Sequence, residues 1–276
     1  MDTEIIIQKK NTFVDAIYKL SLDEMRIFNY AIAKTNPFKE HNFLQKISIN
    51  DLVRFYNLDN KKDKYKQFNE ALNNLFNRQI TYTTEDTEHG RLWVTSRLIV
   101  NKIENKNGVI GLKFSDEINQ LIKCDRAFLE YKLRQTIGIT SPNSVRIYEM
   151  LLYTLKTTPK GILKKEYSIT DIKQKLGLSN KYPRFSNFKK DVLEVAKKQI
   201  NKHTDIKINY TIKKLGRVPQ SIIFIAKYKP TADNFHLEKE QENIQEISKI
   251  ELPKPTIEQQ EKSLNYLQKI QKTLKK

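Results

Sequence analysis

Hydrophobic side chains in the second half of the chain follow two different spacings. Between residues 141 and 201 they recur every three to four positions, which is typical of helices packed on a core. From Ile206 to Ile212 they alternate with polar residues, and a second apolar run extends from Ser221 to Tyr228. Alternation over this length is typical of a half-buried strand. The pattern predicts three helices followed by a β-hairpin.

The same order of patterns occurs 120 residues earlier in the chain. Residues 48–52 (SINDL) recur as residues 168–172 (SITDI), and the segment that starts at Ser21 recurs from Ser141 at the same offset. Apolar positions of one copy fall on apolar positions of the other without a gap. A repeat that keeps helix starts and apolar positions in register indicates an internal duplication.

Residues that commonly begin or end helices occupy equivalent places in the two copies. Ser48 and Ser168 stand where an N-cap is expected, each with an aspartate three positions later. These second helices are expected to end at Asn57-Leu58 and Gly177-Leu178. The first helices are expected from Asp23-Glu24 and from Ser141-Pro142, and the third from about Lys62 to Arg78 and from about Arg184 to Asn201.

Strands complete each copy. The first copy is expected to contain strands Ile80–Thr84, Leu92–Val100 and Val109–Phe114, with a polar tip at residues 85–90 and a turn at Asn107-Gly108. In the second copy, residues 213–219 are expected to form the turn. The predicted fold class is α+β, with two tandem winged helices and a C-terminal tail. The expected bounds are residues 1–135, 136–230 and 231–276.

Charge is distributed unevenly over the 276 residues. The net charge is +18, and residues 121–228 hold 23 basic against 8 acidic side chains. A concentrated basic surface is typical of a protein that neutralises phosphates, and double-stranded DNA is the partner it favours. The alternative is a solvated basic face without a ligand.

Residues for catalysis or metal binding are sparse. The four histidines, His41, His89, His203 and His236, are isolated, and Cys124 is the only cysteine, so no zinc ligand set is expected. None of the seven glycines belongs to a phosphate-binding G-x-x-x-x-G-K-[ST] loop. The sequence predicts neither an enzyme nor a cofactor.

The start of the chain and its apolar runs bear on the compartment. Asp2 and Glu4 are unlike the basic start of a signal peptide, and the apolar run from Ile222 to Ala226 is too short to span a bilayer. A single cysteine fits a reducing compartment, and Cys124 is expected to be inert. We therefore expect a cytoplasmic protein with no membrane partner.

Four blocks of residues make the chain similar to a known family. They are residues 128–131 (FLEY), 144–151 (SVRIYEML), 188–193 (FKKDVL) and 200–206 (INKHTDI). In order and spacing they resemble the plasmid replication initiators, the Rep proteins that bind iterons, over residues 20–228. The resemblance implies two tandem winged helices, which agrees with the duplication.

The resemblance also implies a function. The monomer would bind direct repeats at a replication origin, promote origin opening and recruit the host chromosomal initiator and the replicative helicase. A homodimer joined through the N-terminal domain would repress its own gene at an operator with an inverted repeat. A transcriptional repressor without an initiation role is the alternative, and a basic structural protein without sequence preference is a third reading.

By the same resemblance, specific residues are expected to contact DNA. Arg184, Asn187, Lys189 and Lys190 would face base edges, although phosphate contact alone is an equal alternative for the two lysines. The wing would contact the backbone. The other expected DNA-binding residues are Tyr182, Lys197, Lys213, Lys214 and Arg217 in the second domain, and Lys62, Lys64, Lys66 and Gln67 in the first.

The tail, residues 231–276, lies outside the family blocks. Leu264, Leu267, Ile270 and Leu274 are spaced as a narrow apolar seam. Two interpretations of the tail remain. It is either a flexible segment with a marginal helix, or a helix that docks onto a helicase or onto a second copy of the chain.

Overall fold

The structure is a computed structural model that describes residues 5–35, 44–58, 63–104, 107–123 and 128–230. The expectations for Lys62, Cys124, His41 and the tail, which includes His236, lie outside these residues.

The first half of the chain contains seven strands and five helices within the described ranges. In chain order they are β1 Ile6–Lys10, α1 Asn11–Asp15, α2 Leu22–Ala33, β2 Gln45–Ser48, α3 Ile49–Phe55, α4 Asp63–Phe76, β3 Gln79–Asp86, β4 Gly90–Arg97, β5 Ile99–Glu104, β6 Val109–Phe114, α5 Asp116–Ile122 and β7 Phe128–Lys132.

The second half adds four helices and three strands within the described ranges, with a π-helical segment at Lys189–Glu194 that joins two of the helices. They are α6 Pro142–Lys156, β8 Ile162–Ser168, α7 Ile169–Lys175, α8 Phe185–Phe188, α9 Val195–His203, β9 Ile206–Leu215 and β10 Val218–Tyr228. Short 3-10 helices cover Leu133–Thr136 and Pro159–Gly161.

Two winged helices follow one another along the chain. In the first, α2, α3 and α4 accompany an antiparallel sheet of order β2-β6-β5. In the second, α6, α7 and the α8–α9 helix accompany an antiparallel sheet of order β8-β10-β9. The strand before the second helix pairs with the last strand in both copies. The predicted duplication of a winged helix is confirmed.

The second helices begin and end as predicted. The Ser48 and Ser168 hydroxyls accept hydrogen bonds from the amides three residues on, at 3.4 Å and 2.9 Å. At the other end Asn57 and Gly177 have φ values of 49° and 64°, the left-handed conformation that ends helices. The N-cap expected at Ser141 is different, because its side chain makes no capping bond. Its backbone N–H donates to the Gln199 side chain at 3.1 Å instead.

The strands of the first copy differ from the prediction. The expected strand Leu92–Val100 is two strands, β4 and β5, which part at the buried Leu98. The Leu98 amide donates to the Arg78 carbonyl at 3.1 Å, so the chain leaves one sheet for another there. Consequently β3 and β4 form a separate hairpin inserted after the third helix, and the wing is β5–β6.

The second wing departs from its expected length, whereas the third helices lie within two residues of their expected bounds. Strand β9 continues to Leu215 and strand β10 begins at Val218, so the turn is shorter than the expected residues 213–219. The α4 helix ends at Phe76, whereas α9 ends at His203, seven residues beyond the equivalent position. Because the first copy contains the β3–β4 hairpin after its third helix, the 120-residue offset between the two copies does not continue beyond that helix.

A buried network of charged and polar side chains joins the N-terminal segment to α6. Lys9 and Glu149 form a 2.6 Å ion pair, and the Tyr131 hydroxyl donates to the same carboxylate at 2.7 Å. Arg146 donates to the Tyr18 hydroxyl at 2.5 Å and to the Ala16 carbonyl at 2.7 Å. Burial lowers the pKa of Lys9, and Glu149 opposes that shift. This network connects the two winged helices through the core.

Candidate nucleic-acid interface

The third helix of the second winged helix, from α8 through the π-helical segment to α9, has one strictly buried face. Phe188, Val192, Ala196 and Ile200 are each at most 1% exposed. They recur at the helical spacing of three to four residues, which places one stripe against the core. Phe185 and Val195, two further apolar residues of this helix, are half-buried. The opposite face is therefore free to meet a partner.

The opposite face carries the four residues expected to read bases. Arg184, Asn187, Lys189 and Lys190 are all exposed. Within the described ranges, none of the three cations is in an ion pair. A cationic helix face whose cations are not held in ion pairs attracts the phosphates of a nucleic acid. The structure brings these residues together at the start of one helix.

Tyr182 has a structural position at the entrance to this helix. Its φ is 58°, its ring lies 5.9 Å from the Phe188 ring, and its carbonyl accepts a 3.3 Å hydrogen bond from Lys173. These contacts fix the loop from which Arg184 projects. The Arg184 carbonyl accepts the first helical hydrogen bond, from the Asn187 amide at 3.2 Å. Tyr182 thus holds the third helix in place, and its contact with DNA stays a prediction.

Lys197 lies on the flank of the helix that faces the wing. It is half-buried, with its amino group 5.9 Å from the centre of the Tyr210 ring on β9. The Tyr210 hydroxyl donates to Glu194 at 2.5 Å, and burial raises the pKa of this tyrosine. The bond draws the Glu194 carboxylate toward the sheet. One acidic group of the helix is thereby held by a side chain of the wing.

The wing, the hairpin of β9 and β10, carries the remaining predicted cations. Lys214 and Arg217 are exposed, while Lys213 forms a 3.2 Å ion pair with Glu166. Leu215 and Val218, at 75% and 59% exposure, form an apolar tip beside these cations. Neither residue was among the expected DNA-binding residues. Their position on either side of a two-residue turn was the available signal, since side chains there cannot reach the core.

The first winged helix offers a weaker set on α4. Lys66 and Gln67 are exposed, and Lys64 donates to the Gln67 side chain at 3.0 Å. This internal bond occupies the amide oxygen of Gln67. The Tyr65 hydroxyl donates to Asn50 at 2.6 Å, which ties the helix to α3. Of the predicted set, the structure places Lys64, Lys66 and Gln67 on one helix.

The same ranges also bear on metal binding and on membrane insertion. No group of three or more histidine, cysteine, aspartate or glutamate side chains is close enough to hold a metal ion in the part of the chain that the structure describes. None of the described helices has the length and hydropathy required to cross a membrane.

Comparison with known proteins identifies the family. Residues 6–152 match the model described as "Initiator Replication protein, WH1", and residues 168–226 match "Initiator Rep protein, WH2". The chain belongs to this family of replication initiators. The WH1 match extends through most of α6, the helix that the buried network ties to the N-terminal segment. The family blocks noted in the sequence at residues 128–131 and 144–151 contribute to this network.

Two relatives of the initiator illustrate the similarity. A replication initiation protein from Escherichia coli is 24% identical over 228 residues, which cover 80% of this chain and 69% of that protein. The crystal structure of the Pi initiator protein in complex with iteron DNA aligns with a TM-score of 0.67 at 20% identity. The alignment covers 83% of this chain and all of the other. This likeness confirms the tandem winged-helix fold.

Proposed function

We propose that this initiator is a non-enzymatic protein that binds direct repeats in double-stranded DNA at a plasmid replication origin. The observation that supports this most directly is the exposed cationic face of the third helix in the second winged helix. Arg184, Lys189 and Lys190 on this face are in no ion pair within the described ranges. Asn187 lies among these cations on the same face. Arginine or lysine can donate to guanine and asparagine can pair with adenine, so the face has the chemistry of base recognition.

The tandem arrangement sets the size of the site. A helix-turn-helix unit reads about one half-site per 10 bp turn of duplex, so two units in one monomer require roughly 20 bp. The first unit contributes less positive charge to DNA binding, and two of its expected contact residues, Lys64 and Gln67, are hydrogen bonded to each other. The second unit supplies most of the specificity, and its wing at Lys213, Lys214 and Arg217 contacts the backbone.

The proposal extends to assembly and regulation. Residues 1–135 dimerise and make secondary DNA contacts, and residues 136–230 form the main DNA-binding domain. Monomers on tandem repeats promote opening of the adjacent DNA and recruit the host chromosomal initiator and the replicative helicase. A dimer represses the gene of the initiator at an inverted repeat. The similarity to replication initiators supports this part of the proposal.

Footprinting on the DNA that flanks the gene, at a stated moderate salt concentration, tests the proposal. Several protected blocks of roughly 20 bp in tandem are expected, because each monomer covers two half-sites. A single protected palindrome would instead support a repressor without an initiation role. Protection without discrete boundaries would leave only a basic surface that binds any sequence.

A further inference from the structure

The second sheet, of order β8-β10-β9, has one buried face and one open face. Directly opposite residues of antiparallel neighbours point to the same side of a sheet. Leu163, Ala226 and Ile208 form one such row and are each at most 3% exposed. Tyr210 lies on the same side, two residues along β9, and its hydroxyl donates to Glu194 of the third helix at 2.5 Å. The open face therefore lies on the side of the sheet opposite to the third helix.

The open face carries isoleucines and lysines. Ile162, Lys227 and Lys207 form one row across the three strands, and Lys164 and Ile225 belong to the next row of that face. All five are exposed, Ile162 at 59% and Ile225 at 38%. The two isoleucines are diagonal neighbours on adjacent strands, about 7–8 Å apart, so one apolar group can contact both. These five residues are called the outer sheet face.

The lysines of the outer sheet face are not neutralised by carboxylates of the sheet. Within the three strands, which the structure describes in full, Glu166 is the only acidic residue. Its carboxylate is already engaged, because it forms a 3.2 Å ion pair with Lys213 and accepts a hydrogen bond from Ser221. The three lysines of the face are in no ion pair among the described residues. Their positive charges surround the isoleucines.

The winged-helix fold does not require such a surface. The first sheet has the same strand arrangement, and the two sheets can be aligned at the N-cap serines that end β2 and β8. Gly111 and Lys113 of the first sheet then stand where β10 has Ile223 and Ile225. Lysines on edge strands prevent pairing with other chains, but Lys227 lies on the central strand. The outer sheet face is thus explained neither by the fold nor by protection of an edge.

We propose that the outer sheet face binds an acidic segment of a partner protein, one that presents apolar side chains between its carboxylates. The carboxylates pair with the lysines, and the apolar side chains pack on Ile162 and Ile225. A phosphate backbone would satisfy the lysines but leave the isoleucines exposed. The face also lies about 30 Å from the wing tip, because nine residues of β10 separate Lys227 from Val218. The partner and the duplex therefore bind on different sides of the second domain, and this inference does not depend on the direct-repeat proposal.

A synthetic amphipathic peptide of about 18 residues, or five turns of helix, serves as the probe. Leucines line one side of this peptide and glutamates flank them. One comparison peptide has serine in place of leucine, and the other has lysine in place of glutamate. Fluorescence anisotropy of the labelled peptides with the full chain measures affinity. The acidic apolar peptide should bind at least about tenfold more tightly than either comparison peptide, because both charge and apolar contact contribute. Equal affinities would overturn the proposal.

Two matched double variants locate the site. Lys227→Glu with Ile225→Ser alters the outer sheet face, whereas Lys46→Glu with Ile103→Ser makes the same changes in one row of the first sheet, where both residues are exposed. The two variants have the same net charge, so long-range attraction changes equally in both. Only the first should weaken binding of the acidic apolar peptide, by about tenfold. Lys164→Glu, a single change on β8, should weaken it about threefold and decides the matter if the double variant does not fold. Equal losses in the outer-face and first-sheet variants would overturn the proposal.

Competition and sedimentation test the other occupants of this face. The footprinted duplex should not displace the peptide, and the variant with Lys227→Glu and Ile225→Ser should keep the wild-type footprint. Displacement by the duplex, or loss of the footprint, would assign the face to DNA instead. A dimer in sedimentation velocity that this variant abolishes would assign the face to a second copy of the chain. A wild type without a discrete footprint would remove the direct-repeat proposal alone, because peptide binding is measured without DNA.

Discussion

The Lys9 ammonium donates to the Glu149 carboxylate at 2.6 Å, across 140 residues of sequence, and both side chains are at most 1% exposed. Lys9 also donates to Asn29 at 2.9 Å, and Tyr131 donates to Glu149. A buried pair of this kind offsets its desolvation only when hydrogen bonds satisfy both charges. The pair joins β1 to α6 and so holds the first helix of the second domain against the start of the chain.

Removing one member of this pair should strongly destabilise the fold. We expect Lys9→Met to lower the free energy of unfolding by about 3–5 kcal/mol, because Glu149 is left as a buried charge without its main partner. Urea denaturation at neutral pH measures the change. Arg91→Met is the control, since Arg91 and Glu85 form an ion pair with side chains about 70% exposed and its loss should change little. A small effect of Lys9→Met would show that the pair is not needed.

Two glycines with similar backbone angles allow the cost of the left-handed conformation to be measured apart from the cost of a steric contact. Gly161 and Gly177 have φ values of 61° and 64°, but a Cβ on Gly161 meets open space and one on Gly177 meets Lys19. Gly161→Ala should cost about 1 kcal/mol from the left-handed conformation alone. Gly177→Ala should cost about 1–3 kcal/mol more, because the Lys19 segment must move to admit the methyl group. Chemical denaturation compares the two variants, and equal losses would argue against a close contact between Gly177 and Lys19.

Comparing the binding of variants to altered sites tests whether the third helix of the second domain contacts bases while the wing contacts the DNA backbone. Arg184→Ala should relax base preference at one position, at a cost of about 1–3 kcal/mol for the preferred base. Lys214→Ala should weaken binding to all sequences similarly and lower the salt slope by about one unit. Competition assays with single-base variants of the footprinted site provide the measurement. Similar changes in specificity for both variants would contradict the division.

His203 should make the stability of the fold depend on pH. Its ring packs against Gly138, and burial, aided by the charges of Lys202 and Lys229, lowers its pKa. The unfolded chain therefore binds a proton at higher pH than the folded one, and stability falls as pH drops below the unfolded value of about 6.5. His203→Gln should remove this component. Urea midpoints at pH 7.5 and 5.5 should differ less in the variant than in the wild type, and identical differences would refute the assignment.

The sequence supported most of the fold because its local signals agree with the tertiary structure. Ser48 and Ser168 begin helices as N-caps because each hydroxyl can accept from an amide three residues on. The split at Leu98 was not predicted, because the apolar run Leu98-Ile99-Val100 is compatible with the end of one long strand, although Leu98 and Ile99 are both buried and so break the alternation. The β3–β4 hairpin was missed as a separate unit for the same reason.

The candidate site was predictable in part. The cationic outer face of the third helix follows from the spacing of its apolar stripe, so the exposure of Arg184 and Lys190 was expected. The roles of Arg146 and Glu149 were not, since charged residues are usually assigned to the surface and only three-dimensional packing shows them buried.

The exposed β3–β4 hairpin determines what intrinsic fluorescence can report. Trp93 is the only tryptophan in the chain, and it is 62% exposed on β4. Its indole is already largely in water in the folded protein, so global unfolding should shift its emission wavelength little. Burial of the hairpin against another molecule should shift the emission to shorter wavelengths. Tryptophan emission in this protein is thus a probe of association at one hairpin, and tyrosine emission or circular dichroism must be used to follow folding.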